Sequence, residues 1–299
     1  MAPYPSAPKR MGPVAWGMPS ATKILRNRIV LFFDFDGTLA PSTTPVLAEA
    51  LELNHDKIAE QVDAMQRDGW QYAIAKAEVF RQLGATGADV TRQRMEAVGE
   101  AYESYPGADD FVERLREYAR DIDEEVELEF VMLTAGFRTI PAASAVGKTF
   151  DRIYAGDLNF DPDGYVLGVR IVITHADKVH CIRQLVEGVD VTQPSDLENT
   201  YVAHEPEDYY VPMDQVIFVG DGASDMSAFQ AVGEGGGIGI AIDKEGQEWD
   251  GYDDISRGRR VMNLAPPDYS EDSELMRTLE YAVASMVYRV KVLRLGEGE

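Results

Sequence analysis

Asp34 and Asp36 stand two residues apart at the end of the apolar run Ile29-Val30-Leu31-Phe32-Phe33, inside the stretch Asp34-Phe35-Asp36-Gly37-Thr38. Side chains leave a strand with period two, so both carboxylates are expected on one side. Two close carboxylates repel unless a cation or a shared proton relieves them. The pair therefore points to bound Mg²⁺, or to an acid/base partner beside a nucleophile. A turn or a calcium loop also uses Asp-x-Asp-Gly. Further along, Thr134 follows the stretch Leu128-Glu129-Phe130-Val131-Met132-Leu133, and Lys178 opens a helical pattern. Asp221 and Asp225 follow Gln215-Val216-Ile217-Phe218-Val219. Singly, these residues read as a turn hydroxyl, an exposed helix lysine and two helix-capping acids. Together they supply a nucleophile, an acid/base group, metal ligands and donors for phosphate oxygens, which are the parts phosphoryl transfer needs. Mg²⁺ takes few carboxylates and keeps waters and substrate oxygens, so Asp34 with Asp221 is a suitable ligand set.

These residues need a scaffold that brings strand ends together. A run apolar on both faces predicts a buried parallel strand, and open α/β sheets place their chemistry at the carboxyl ends of such strands. Strands are expected at residues 29–33, 128–133, 151–154, 215–219 and 238–242, with a hairpin over 160–173 turned at Asp161-Pro162-Asp163-Gly164. Between residues 42 and 105 strand patterns vanish. Helical spacing replaces them in three stripes: Ile58, Val62 and Met65; Ile74, Ala77 and Phe80; Met95, Val98 and Tyr102. The expected organisation is α/β, with a parallel-sheet core from residues 23–41 and 106–299 and a helical insert at 42–105. That core includes a hairpin near 158–173 and a C-terminal helix at 273–295. Residues 1–22, rich in Pro, Ala, Gly and Met, read as a flexible arm without the apolar region of a signal peptide. Gly188 to Pro212 reads as polar surface elaboration. The glycine cluster from Gly233 to Gly237 leads into a strand rather than out of one, the reverse of a dinucleotide loop.

Among the 299 residues, 52 acids against 28 bases give a net charge of −24. That disfavours polymeric nucleic acid and anionic membranes as partners, and it means an anionic substrate needs local cations. No apolar run approaches the roughly 20 residues of a membrane span. Cys181 is the only cysteine, so no intrachain disulfide forms, which fits a reducing cytoplasm. It reads as a buried structural thiol. Arg67, Trp70, Tyr72 and Arg81 are candidates to touch a leaving group, although solvated arginines and helix-packing aromatics are the ordinary roles there. The sequence sets no oligomeric state.

Asp34-Phe35-Asp36-Gly37-Thr38-Leu39, Thr134, Lys178 and Gly220-Asp221-Gly222-Ala223-Ser224-Asp225 resemble motifs I to IV of the haloacid-dehalogenase-like hydrolase superfamily. The resemblance covers about Lys23 to Ile242, with the insert where that family carries its type-1 cap. Thr134-Ala135-Gly136-Phe137, the stretch from Phe150 to Leu158, the hairpin and the lysine resemble phosphoserine-phosphatase-like members. The resemblance implies a Rossmann-like three-layer α/β/α core and a Mg²⁺-dependent phosphatase acting on a small-molecule phosphate monoester. By it, Asp34 attacks phosphorus to form an aspartyl-phosphate. Asp36 protonates the leaving alkoxide and then activates water, its backbone carbonyl helping to hold the metal. Thr134 and Lys178, with the backbone N–H groups of Phe35 and Ala135, bind phosphoryl oxygens. Asp221 ligates the metal and Asp225 supports that ligation. Gly37 stands where phosphoserine phosphatases carry serine, and Pro41-Ser42-Thr43-Thr44 stands where they carry a glutamate, so serine specificity is not implied. A phosphotransferase or phosphomutase of the same fold, or a non-catalytic phosphate-binding protein, are the alternatives.

Overall fold

The computed structural model describes residues 26–192, 205, 208–243 and 261–297. The expected arm at 1–22 and most of the Gly188–Pro212 segment lie outside the described residues. The chain runs through β1 (Arg28–Phe33), α1 (Thr43–Ala50), α2 (His55–Arg67), α3 (Tyr72–Ala85), α4 (Arg92–Glu100), α5 (Phe111–Ile122) and β2 (Glu127–Phe137). It continues with α6 (Thr139–Ala143), β3 (Arg152–Phe160), β4 (Val166–Ile171), α7 (His175–Val186), β5 (Val216–Gly220) and α8 (Met226–Glu234). Then come β6 (Ile238–Ile242), β7 (Asn263–Ala265) and α9 (Glu274–Glu297). The strands form one sheet in the order β4-β3-β2-β1-β5-β6-β7, parallel throughout except for the antiparallel β3–β4 pair.

The doubly apolar run explains the layering. Ile29, Leu31 and Phe33 of β1 enter one cluster with Phe111 and Leu115 of α5 and Leu279 and Val283 of α9. Val30 and Phe32 enter the other with Ile182 and Leu185 of α7 and Phe229 of α8. Alternation along a central strand thus feeds both faces of an α/β/α sandwich. Burying each such side chain contributes about 1.5–3 kcal/mol, more than the backbone entropy of roughly 1–2 kcal/mol lost per residue. The burial term, offset only in part by that entropy, favours β1 as the strand around which the sheet is organised.

Helices α1 to α4 pack on one another, on α6 and on β4. Ile58, Val62, Phe80, Met95, Val98 and Tyr102 join the same cluster as β1, so the insert and the sheet share one core. Asn54 and Thr91 begin α2 and α4 by accepting the N–H groups of Lys57 and Arg94. The joint before α4 docks on the hairpin: Arg92 N–H donates to the Gly164 carbonyl at 2.8 Å, and the Arg92 guanidinium lies 4.6 Å from the Phe160 ring centroid.

Some boundaries differ from the sequence reading. The strand expected at 151–154 and the hairpin arm expected from Phe160 are one strand, β3. Its first half pairs with β2 and its second half with β4. The change of partner within one strand leaves no break in the local pattern to mark it. The helix expected to open at Lys178 opens at His175, on a capping box formed by Thr174 and Asp177. In α3 the expected stripe is rotated: Ile74 is exposed, whereas Ala73, Lys76, Ala77 and Phe80 are buried. Among the described residues no helix is long and apolar enough to cross a membrane.

Candidate active site

Parallel register assembles the strand ends. Phe33 pairs with Met132 on one side and Val219 on the other. Asp34 and Asp221 therefore stand just beyond the carboxyl ends of β1 and β5, and Thr134 stands within β2, in its last regular pair with β3 before the strand's irregular end. Asp34 N–H donates to the Val219 carbonyl at 2.9 Å, extending the pairing by one residue. The chain then coils: the N–H groups of Thr38, Leu39 and Ala40 all donate to the Phe35 carbonyl, at 3.1, 3.0 and 3.3 Å. Gly37 closes the loop with φ +77°, donating to the Ala40 carbonyl at 2.6 Å. Positive φ favours glycine, which gives Gly37 a local reason to replace serine. Because β1 ends at Phe33, strand alternation does not set the relation of Asp34 to Asp36; the loop does. Asp36 accepts the N–H and the hydroxyl of Thr43 at 2.6 and 3.2 Å, tying the loop to the first residue of α1.

On the neighbouring strand, register slips between Thr134 and Phe137. Thr134 Oγ1 accepts the Gly136 N–H at 3.0 Å, which orients the hydroxyl and keeps its proton for donation. A methyl group at Gly136 would lie 3.2 Å from Asp36 Oδ2 and 3.3 Å from Thr134 Oγ1, so this bend faces both groups.

Lys178, in the first turn of α7, is wholly buried. Its Nζ lies 3.0 Å from Asp34 Oδ2 and 2.6 Å from Asp225 Oδ1. The other Asp225 oxygen accepts the N–H groups of Asp221 and Gly222 at 3.1 and 3.2 Å. Although Asp225 precedes α8, its side chain makes no cap bond to that helix, so the capping reading is corrected for this residue. A methyl at Gly220 would lie 2.6 Å from the Asp225 carboxylate; only glycine admits this close approach.

Electrostatics follow from this packing. Burial pushes the Asp225 carboxyl up, Lys178 opposes that push, and the Asp34 charge adds to it. Burial disfavours a charged Lys178, yet Asp225 and Asp34 outweigh that penalty and hold its ammonium well above the ordinary lysine range. Enclosure by protein raises the Asp36 carboxyl; Lys76 opposes this, the Asp34 charge reinforces it, and the Thr43 hydrogen bonds lower it.

Lys76 is the residue the sequence reading missed. It comes from α3, is 5% exposed, and lies 5.6 Å from the Phe137 ring centroid while facing the Asp36 charge. A lone cation flanked by Ala73, Ala75, Ala77 and Phe80 was the available signal. Of the other insert candidates, Arg81 pairs with Glu78 at 2.6 Å and Arg67 is exposed, whereas Trp70 and Tyr72 line a cleft that also touches Ala135. The Phe35 N–H, expected on a phosphate oxygen, donates to Asp34 Oδ1 at 2.8 Å.

The donor set suits a hard divalent cation. Asp34, Asp221 and Asp225 are buried and each brings one oxygen within 4.8 Å of the others. All three are oxygen donors, as Mg²⁺ requires. Both Asp225 oxygens are held by Lys178 and by backbone N–H groups, and Asp34 likewise shares its oxygens with the Phe35 N–H and Lys178, so a cation here would sit among groups that the protein already orients.

No curated protein sequence matches this chain significantly. A family model for haloacid dehalogenase-like hydrolases matches residues 30–233. Among solved structures, a substrate-bound phosphoserine phosphatase is similar with a TM-score of 0.54 at 15% identity, over 85% of this chain and 98% of that one. A probable phosphoserine phosphatase from Vibrio cholerae gives 0.54 at 12% identity, over 88% of this chain and 66% of that one. A HAD family hydrolase from Salmonella enterica serovar Typhi gives 0.52 at 13% identity, over 81% and 67%. At these identities the likeness is one of fold. Since the family match runs from the first strand through the helix that follows Asp225, the chain belongs to the haloacid dehalogenase-like hydrolase family.

Proposed function

We propose that the protein is a Mg²⁺-dependent phosphatase that hydrolyses a small-molecule phosphate monoester through an aspartyl-phosphate on Asp34. The observation that carries this reading is Lys178, fully buried and held between Asp34 and Asp225 at the strand ends. A lysine buried at such a cost between two carboxylates at the strand ends is suited to receive a phosphoryl group.

Asp34 attacks phosphorus while the ester P–O bond breaks. Asp36 gives its proton to the departing alkoxide, a role that its raised carboxyl pKa favours. Lys178, the Thr134 hydroxyl and the Ala135 N–H bind the phosphoryl oxygens. In the second half-reaction Asp36 takes a proton from water, which attacks phosphorus, releases inorganic phosphate and regenerates Asp34. Asp34, Asp221 and the backbone carbonyl of Asp36 would hold Mg²⁺, while Asp225 orients Lys178 and the Asp221 backbone. When bound, Mg²⁺ supplies positive charge that offsets the phosphoryl and carboxylate charges. The net charge of −24 makes Lys178 and Lys76 the local attraction for an anionic ester, and with the lone buried Cys181 it fits a small cytoplasmic substrate rather than nucleic acid or a membrane.

The test is release of inorganic phosphate from a panel of amino-acid, sugar and nucleotide phosphates with Mg²⁺ present. Turnover is expected, abolished by EDTA and lowered at least about 10³-fold by Asp34→Asn. No release from any member of the panel overturns the proposal, and transfer to an alcohol in preference to water reassigns the site to a phosphotransferase.

A further inference from the structure

A cleft of about 410 Å³ opens between the α2–α3 joint of the insert and the core, beside the strand end that carries Thr134. Trp70, Tyr72, Gln66 and Gln71 line it from the insert, and Ala135 and His175 from the core. Trp70 and Tyr72 are 42% and 45% exposed, so their rings are presented to the cleft and to solvent rather than spent on packing helices. None of the six is a carboxylate, a lysine or an arginine, in a chain of which 27% is charged.

That lining is a poor match for an amino-acid leaving group, whose ammonium and carboxylate both lose hydration on burial and need ionic partners. It matches a flat, uncharged ring: indole and phenol faces stack on any π-system, and two side-chain amides read polar ring edges. Spacing agrees. Tyr72 opens α3 and Lys76 lies four residues on, about 6 Å along the axis, where it faces Asp36. A ring stacked on Tyr72 would sit about one helical turn from Lys76, which leaves room for a spacer between ring and phosphate.

Resting on the phosphatase reading, we propose that the substrate is the phosphate ester of an uncharged, ring-bearing alcohol of the nucleoside kind, seated against Trp70 and Tyr72. The full chain is assayed with Mg²⁺ on adenosine 5′-monophosphate, phosphoserine and glycerol 3-phosphate. The nucleotide is expected to exceed phosphoserine in kcat/KM by at least about tenfold. Trp70→Ala and Tyr72→Ala each lower its kcat/KM about tenfold, mainly through KM, and shrink its preference over glycerol 3-phosphate. A binding measurement separates this inference from the one beneath it. Adenosine 5′-monophosphate quenches tryptophan fluorescence in the Asp34→Asn variant, and the quenching disappears when Trp70→Phe is added. Quenching without turnover of any ester by the native chain overturns the phosphatase reading and leaves the cleft assignment standing. Preference for phosphoserine, or equal losses on all three esters in Trp70→Ala, overturns the cleft assignment alone.

Discussion

Replacing Lys178 by methionine tests the electrostatic core of the site without any substrate. The ammonium now bridges Asp34 at 3.0 Å and Asp225 at 2.6 Å. Methionine fills similar volume but leaves buried carboxylates facing one another. Removing one partner of a buried ion pair costs about 3–5 kcal/mol, and the wholly buried Asp225 side chain has no solvent to relieve it. The loss depends on pH. Burial raises the folded-state pKa of Asp225 and Lys178 opposes that rise; without Lys178 it climbs further above the unfolded value. A group with a raised folded-state pKa contributes stability below its unfolded pKa and loses it as pH rises through the folded one. The variant's deficit therefore shrinks on acidification; the limit is about 1.4 kcal/mol per pH unit for one proton, and because the native Asp225 carboxyl, raised to about 7, also takes up a proton in this window, the difference between pH 7.5 and 5.5 is about 1 kcal/mol. Lys178 itself contributes no slope in this window, because its raised pKa keeps it charged throughout. Urea unfolding of both proteins at the two pH values, followed by far-UV circular dichroism with EDTA present, gives the difference directly. A deficit that is absent, or the same at both pH values, refutes the reasoning.

Asp36→Asn is expected to lower turnover by at least about 10²-fold, as loss of an acid/base group does. Because enclosure raises the Asp36 pKa, its ionised form costs stability as pH rises through that value, so the variant gains Tm over the native chain at pH 7.5 more than at pH 5. Differential scanning fluorimetry reads the gap; a larger gain at pH 5 contradicts it. Gly220→Ala puts a methyl 2.6 Å from the Asp225 carboxylate, and such overpacking costs about 1–3 kcal/mol. Its turnover is expected to fall further than its stability accounts for, since the carboxylate that orients Lys178 must move. Burial pushes the Cys181 thiol up to about 12. Iodoacetamide should leave it unlabelled in the native chain and label it in urea, as mass spectrometry would show.

Much of this protein was legible in its local patterns. The run Ile29–Phe33 announces a strand buried on both faces, and its residues divide between the two sides of the sheet. Helical spacing marks the insert, and the order of Asp34, Thr134, Lys178 and Asp221 along the chain matches their gathering at strand ends, because parallel strands carry each carboxyl end to the same edge of the sheet. The rest depends on contacts between residues distant in sequence. Lys178 meets Asp225 across 47 positions, and no local pattern states which oxygen receives its proton. Periodicity shows that α3 has a buried face but not its angle against the sheet, so Ile74 was read inward and Lys76 overlooked. Asp34 and Asp36 lie where a coiled loop puts them, beyond the reach of strand alternation. Trp70 and Tyr72 became a cleft wall only when the insert docked on the core. Composition and spacing determined which chemical groups are present and which backbone elements carry them; tertiary packing decided their mutual distances, and electrostatics and recognition depend on those distances.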